Sequence, residues 1–187
     1  MPYQAVNQVV STASQGAWLD SASSGVSYPS GSTAPTRTTF TTNTAGWTYA
    51  LNDFFDGTIQ MGHDCQPGSA LDVHIHFSFP SQPSVGTKLN WQLYYCYAKI
   101  DGTFSETIPL NAEYVVKASD NKVHRVFELG AITADATAPQ SAMIILRVKR
   151  IAKSAGGSEC DVEPIIWACD AHYKSRFAGG TVLELGS

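Results

Sequence analysis

A chain of 187 residues with a net charge of −4 is long enough to bury a real hydrophobic core in one domain, and it lacks the clustered basic surface needed to neutralise phosphates, so nucleic acid is not an expected partner. Charged residues are 15% of the chain against 43% hydrophobic, a balance that excludes disorder of the whole molecule. The four cysteines, Cys65, Cys96, Cys160 and Cys169, have neither zinc-site spacing nor the density of a disulfide scaffold; they are read as reduced thiols, with Cys65 and Cys160, in turn-rich stretches, still able to pair.

Met1 to Val10 shows no basic region followed by an apolar block, and no stretch has the apolar length of a membrane span. Synthesis in the cytoplasm without a membrane partner is the expectation. From Ser11 to Thr44 the chain is rich in Ser, Thr, Gly, Ala and Pro, a composition that supports no packed element by itself. Residues 1–45 are therefore expected to form an extended arm, ordered against a partner, with Tyr28 and Phe40 as isolated anchors. A domain over residues 46–187 follows, because from Trp47 apolar residues recur with period two and line one face of a sheet. In Asp72 to Phe79 that face is Val73, Ile75, Phe77 and Phe79, with Asp72, His74, His76 and Ser78 on the other; Pro80 and Pro83 end the strand. Lys88 to Lys99 alternates Leu89, Trp91, Leu93, Tyr95 and Tyr97 against Asn90, Gln92, Tyr94, Cys96 and Ala98, and Asp101-Gly102 predicts a hairpin turn. Further strands are predicted at Glu113 to Lys117, Val123 to Leu129, Ala142 to Lys149, Ile165 to Lys174 and Thr181 to Leu185. The connectors, among them Ser119-Asp120-Asn121 and the glycines between Ser154 and Ser158, carry turn chemistry and no helix caps. The expected fold is all-β, an antiparallel jelly-roll-like β-sandwich.

His74-Ile75-His76 stands out, because histidines two apart on a strand share a face and can ligate one metal ion. His63 and His172 are possible additions, and Asp170 and His172 repeat the same spacing on the last long strand. Candidate ligands of a divalent metal are thus His74, His76 and His172, with Asp72 and Asp170 able to orient them. The competing reading is a polar layer between strands or subunits, made by Asp72, His74, His76, Asp170, His172 and Tyr173, with no cofactor. The His-x-His strand resembles the start of the cupin metal motif, but no Glu follows before Glu106 and His124 lacks a Gly-rich context.

Other constellations point away from an enzyme. There is no Gly-x-Ser-x-Gly elbow and no Gly-rich phosphate loop, and neighbours in His63-Asp64-Cys65 face opposite ways on an extended chain. Glu159, Asp161 and Glu163 can gather for a calcium ion or stand as a charged strand edge. Arg147, Lys149, Arg150 and Lys153 read as a solvated strand end. Trp91, Tyr94, Tyr95 and Tyr97 suggest a sugar platform, although alternation sends three of them to the core.

Three segments together resemble small virion proteins of tailed bacteriophages: Asp72-Val73-His74-Ile75-His76-Phe77, Asn90-Trp91-Gln92-Leu93-Tyr94-Tyr95, and Asp170-Ala171-His172-Tyr173 followed by Gly179-Gly180. The resemblance spans Met61 to Gly180 and implies assembly into a particle with no reaction. A capsid decoration or cement protein, a homotrimer binding the major capsid protein, is the expected role. The alternatives are a neck or tail component, including a receptor- or glycan-binding one, and a cupin-like metal-dependent enzyme using His74 and His76.

Overall fold

Period-two alternation becomes strand throughout a computed structural model, which describes residues 18–137 and 139–176 and contains no helix among them. Eleven strands follow in order: β1 Trp18–Ala22, β2 Ser24–Ser27, β3 Thr36–Thr41, β4 Thr44–Thr48, β5 Phe54–Gln60, β6 Ala70–Ser78, β7 Lys88–Ala98, β8 Ile108–Val115, β9 Arg125–Thr133, β10 Met143–Ile151 and β11 Ile165–Lys174. With no helix described, none is long and apolar enough to cross a membrane.

One sheet has the order β3-β4-β11-β6-β9, with β1 also paired to β11; the other runs β2-β5-β10-β7-β8. The order β4-β11-β6-β9 facing β5-β10-β7-β8 is that of a jelly roll, in which distant segments interleave. Every pairing between these strands is antiparallel. The core lies between the sheets. Leu71, Val73, Ile75 and Phe77 of β6 meet Leu89, Trp91 and Leu93 of β7 and Ile144, Leu146 and Val148 of β10, all buried. Each such side chain contributes roughly 1.5–3 kcal/mol when removed from water, and edge-on aromatic contacts such as Phe77 with Tyr114, 5.2 Å between centroids, add directionality.

The segment expected as an arm is built into the sandwich over its described part. β1 pairs with β11, β2 with β5, and β3 with β4. Strands so poor in large apolar residues are held because they occupy sheet edges, where ladder hydrogen bonds matter more than side-chain burial. Tyr28 packs on Trp47 at 5.1 Å and Phe40 on Trp167 at 5.0 Å, so these anchors grip the chain's own tryptophans. Residues 1–17 and the strand predicted at 181–185 lie outside the described residues.

Two other differences have local causes. β5 alternates in burial but not in apolar sequence, because Gly57 stands between the buried Phe55 and Ile59 while Phe54 is placed on the outer face beside Asp56. The turn at Asp101-Gly102 forms, with Gly102 N–H donating to Lys99 C=O at 3.0 Å and Asp101 at a φ of 57°, but β8 resumes only at Ile108, so the connection is longer than a two-residue hairpin. In β9, Gly130 has a φ of 139° and sits at a register shift against Val73 and His74 of β6. All four cysteines are free thiols, Cys65 and Cys160 included.

Candidate functional site

Because Val73, Ile75 and Phe77 face the core, alternation turns Asp72, His74 and His76 to the outer face of their sheet. Pairing register then decides their neighbours. Across the strands β1, β11, β6 and β9 one row reads Ala22, Asp170, His74, Glu128; the next reads Asp20, His172, Asp72, Ala131. A third row sets Ala168 and Val126 on either side of His76. Four of the five histidines thus gather on one outer face.

The centre of this face is closely packed. His74 is only 3% exposed although it points away from the core, because the rings of His172 and His76 lie 4.1 and 5.1 Å from its own. Its Nε2 is 2.7 Å from Oδ1 of Asp170, and Nε2 of His76 is 3.3 Å from the same oxygen. The His74–Asp170 contact is at ion-pair distance, but its direction is poor for a hydrogen bond, and none of the three buried atoms has a well-directed hydrogen-bond partner. The other ring nitrogens are engaged. His74 Nδ1 donates to the Asp72 carbonyl at 3.4 Å, and His76 Nδ1 contacts His124 Nε2 at 2.7 Å. Burial alone would push the His74 imidazole down, but the Asp170 carboxylate, helped by the Asp72 carbonyl and Asp20, holds it above its ordinary value. Burial likewise acts to raise the Asp170 carboxyl, and the neighbouring imidazoles, His74 foremost, hold it below the usual carboxylate range.

The expected cluster is reshaped in three ways. His172 does not join His74 and His76 as a third ligand; its Nε2 faces Asp20 Oδ1, and the atoms that converge within 4.8 Å belong to His74, His76 and Asp170. Tyr173 leaves the polar layer altogether: alternation along β11 sends it to the core side, 5% exposed, where its hydroxyl donates to Asp64 Oδ1 at 3.0 Å. His63 contacts Ser141 at 3.2 Å, apart from the cluster. His124, weighed in the sequence only against the cupin motif and within a strand predicted from Val123, lies just ahead of β9, where its Nε2 meets His76 Nδ1.

The opposite sheet carries a different feature. A groove of about 550 Å³ runs over its outer face, lined by Phe54, Asp56, Tyr94, Ile145, Arg147 and Lys149. Trp91 and Tyr95 are buried as alternation requires, so Tyr94 is the ring of β7 that faces this groove. Arg147 grips Asp56 through two hydrogen bonds of 2.6 and 2.9 Å and lies 4.0 Å over the Phe54 ring. Arg150, expected on a solvated strand end, is instead 3% exposed and donates to the carbonyls of Tyr49 and Cys160. Glu159 and Asp161 do not share an ion: Glu159 accepts from Arg150 and Lys153, and Asp161 from Ser84.

No family model and no curated protein matches the chain. Among solved structures, a chain of the infectious bursal disease virus Gx strain is 12% identical over 76% of this chain and 38% of its own, with a TM-score of 0.32. The carbohydrate-binding module TmCBM61, solved with β-1,4-galactotriose, is 9% identical over 84% of this chain and 88% of its own, with a TM-score of 0.27. CBM28, a module specific for non-crystalline cellulose, is 10% identical over 83% and 89%, with a TM-score of 0.33. This chain spans 38% of the length of the viral chain. At these identities the likeness concerns the β-sandwich architecture alone.

Proposed function

We propose that this chain is a non-enzymatic structural protein of a tailed-bacteriophage particle, a homotrimeric decoration or cement protein that stabilises the head by binding the major capsid protein. The resemblance of three segments to phage virion proteins motivates this reading; two of them, far apart in sequence, form the paired strands β6 and β11. The observation that carries it is a pair of exposed apolar side chains flanking the histidine face. Val126, 54% exposed, stands across from His76, and Trp167, 42% exposed, adjoins Ala168 on the strand at its other side. Large apolar side chains left exposed side by side on one sheet face are the kind of surface that another protein covers. Light scattering on the purified chain, followed by sedimentation with empty phage heads, tests it: a trimer that binds heads saturably is expected, and a monomer that ignores them overturns it.

A second reading, a glycan-binding component of a neck or tail, rests on the groove of the other sheet. Tyr94 offers a ring there beside the Asp56–Arg147 pair, whose guanidinium lies over Phe54, the combination of stacking surface and paired polar groups that sugars require. Saturable binding of an oligosaccharide, abolished by Tyr94→Ala, would favour it over head decoration.

A further inference from the structure

The atoms His74 Nε2, His76 Nε2 and Asp170 Oδ1 pose a problem that ordinary hydrogen bonding does not solve. The Asp72 carbonyl can only accept, so in the neutral ring the proton of His74 resides on Nδ1. Its Nε2 lone pair then faces a carboxylate oxygen at 2.7 Å, and His76 Nε2 faces the same oxygen at 3.3 Å. With His74 neutral, three electron-rich atoms converge without a well-directed hydrogen bond; a second proton on His74 would serve the 2.7 Å contact and still leave His76 Nε2 facing the same oxygen. Leaving such groups unpaired is costly, and the arrangement calls for one cation shared by all three.

We propose that His74, His76 and Asp170 bind a single divalent transition-metal ion, zinc in the first place, which fastens β6 to β11 on the outer face of the sheet. Two imidazoles and one carboxylate are donors of intermediate hardness, suited to zinc and its neighbours and unsuited to calcium or magnesium, which take oxygen alone. In a tetrahedral site with bonds of about 2.0–2.1 Å, ligand atoms lie about 3.4 Å apart. The 3.3 Å separation already has that span, and the 2.7 Å separation opens by a small ring rotation. Metal-bound histidines characteristically commit their other nitrogen to an orienting partner, as His74 does with the Asp72 carbonyl and His76 with His124. Three protein ligands leave the fourth position to water. Within this site His124 is a positioning residue and binds no metal.

The test uses the full chain, stripped with a chelator and titrated with zinc by calorimetry and with cobalt(II) by visible absorption. One ion per chain is expected, with the cobalt bands of a low-coordinate site and an unfolding midpoint that climbs with free zinc. Asp170→Asn and His76→Gln should abolish stoichiometric binding; His76 is half-buried, so its variant remains foldable even if a change at His74 does not. His124→Ala should weaken binding ~10- to 100-fold, while His172→Ala and His63→Ala leave the stoichiometry unchanged. Absence of stoichiometric binding, or binding that survives both Asp170→Asn and His76→Gln, overturns the proposal. Metal content is read on the isolated chain, so its outcome is independent of head binding.

Discussion

Glu113 shows how one side chain can hold two segments. It takes a 2.8 Å ion pair from Lys88 of β7 and accepts from the backbone N–H and hydroxyl of Ser154 at 2.6 and 2.9 Å. The Lys88 contact first, then the Ser154 N–H, hold its carboxyl down to about 2 from an ordinary 4.5. A carboxyl depressed by folding stabilises the native state fully above its unfolded value and loses that contribution as pH falls toward its folded one. Wild-type stability should therefore decline between pH 4.5 and pH 2, whereas Glu113→Gln starts lower at neutral pH and loses less on acidification, so the two curves converge near the acid end. Urea denaturation at a series of pH values checks this, and parallel curves would show that Glu113 is no better paired in the native state than in the unfolded one. Residue identity told part of this story. Asp120 was legible as a turn residue, but its complete burial, with Tyr114, Lys117 and Arg125 all donating to it, was not. Arg150 was misread for the same reason: its carbonyl partners, at Tyr49 and Cys160, come from remote segments.

Elements were most legible where both faces of a strand obey the rule. β6, β7 and β11 match their predicted spans closely because each alternates over most of its length. Register was illegible, and register makes the candidate site: only the pairing of His74 with Asp170 brings two distant motifs together. The shift at Gly130 is part of that register. Its φ of 139° lies where side chains are strained, and a Cβ there would come within 2.9 Å of Leu110 Cδ1. Gly130→Ala should cost about 1–3 kcal/mol for the backbone strain, read as a lowered urea midpoint at unchanged slope. A loss well under 1 kcal/mol would mean that β9 re-registers against β6 without penalty.

For the whole molecule, strand spacing and turn chemistry pointed to a jelly roll, while the interleaved order of its strands depends on contacts far apart in sequence and left no local trace. The Ser/Thr-rich segment misled for a related reason. Its strands β1, β2 and β3 are poor in large apolar residues and exist by completing edges that other segments create. What the sheets leave uncovered then bears on assembly. Val126 and Trp167 are exposed at 54% and 42%; charging Val126 with Lys should change folding stability by no more than about 0.5 kcal/mol, whereas Trp167→Lys also removes the ring on which Phe40 packs and should cost at least about 0.5–1.5 kcal/mol. If the histidine face is the subunit contact, the same changes bury unpaired charges in it and must disrupt association. If the parent is trimeric as proposed, light scattering should report monomers from Val126→Lys and from the double variant, each still unfolding cooperatively. A variant that remains trimeric would move the contact to another surface, the edge strand β8 with its exposed Ile108 and Val115 being the next apolar candidate.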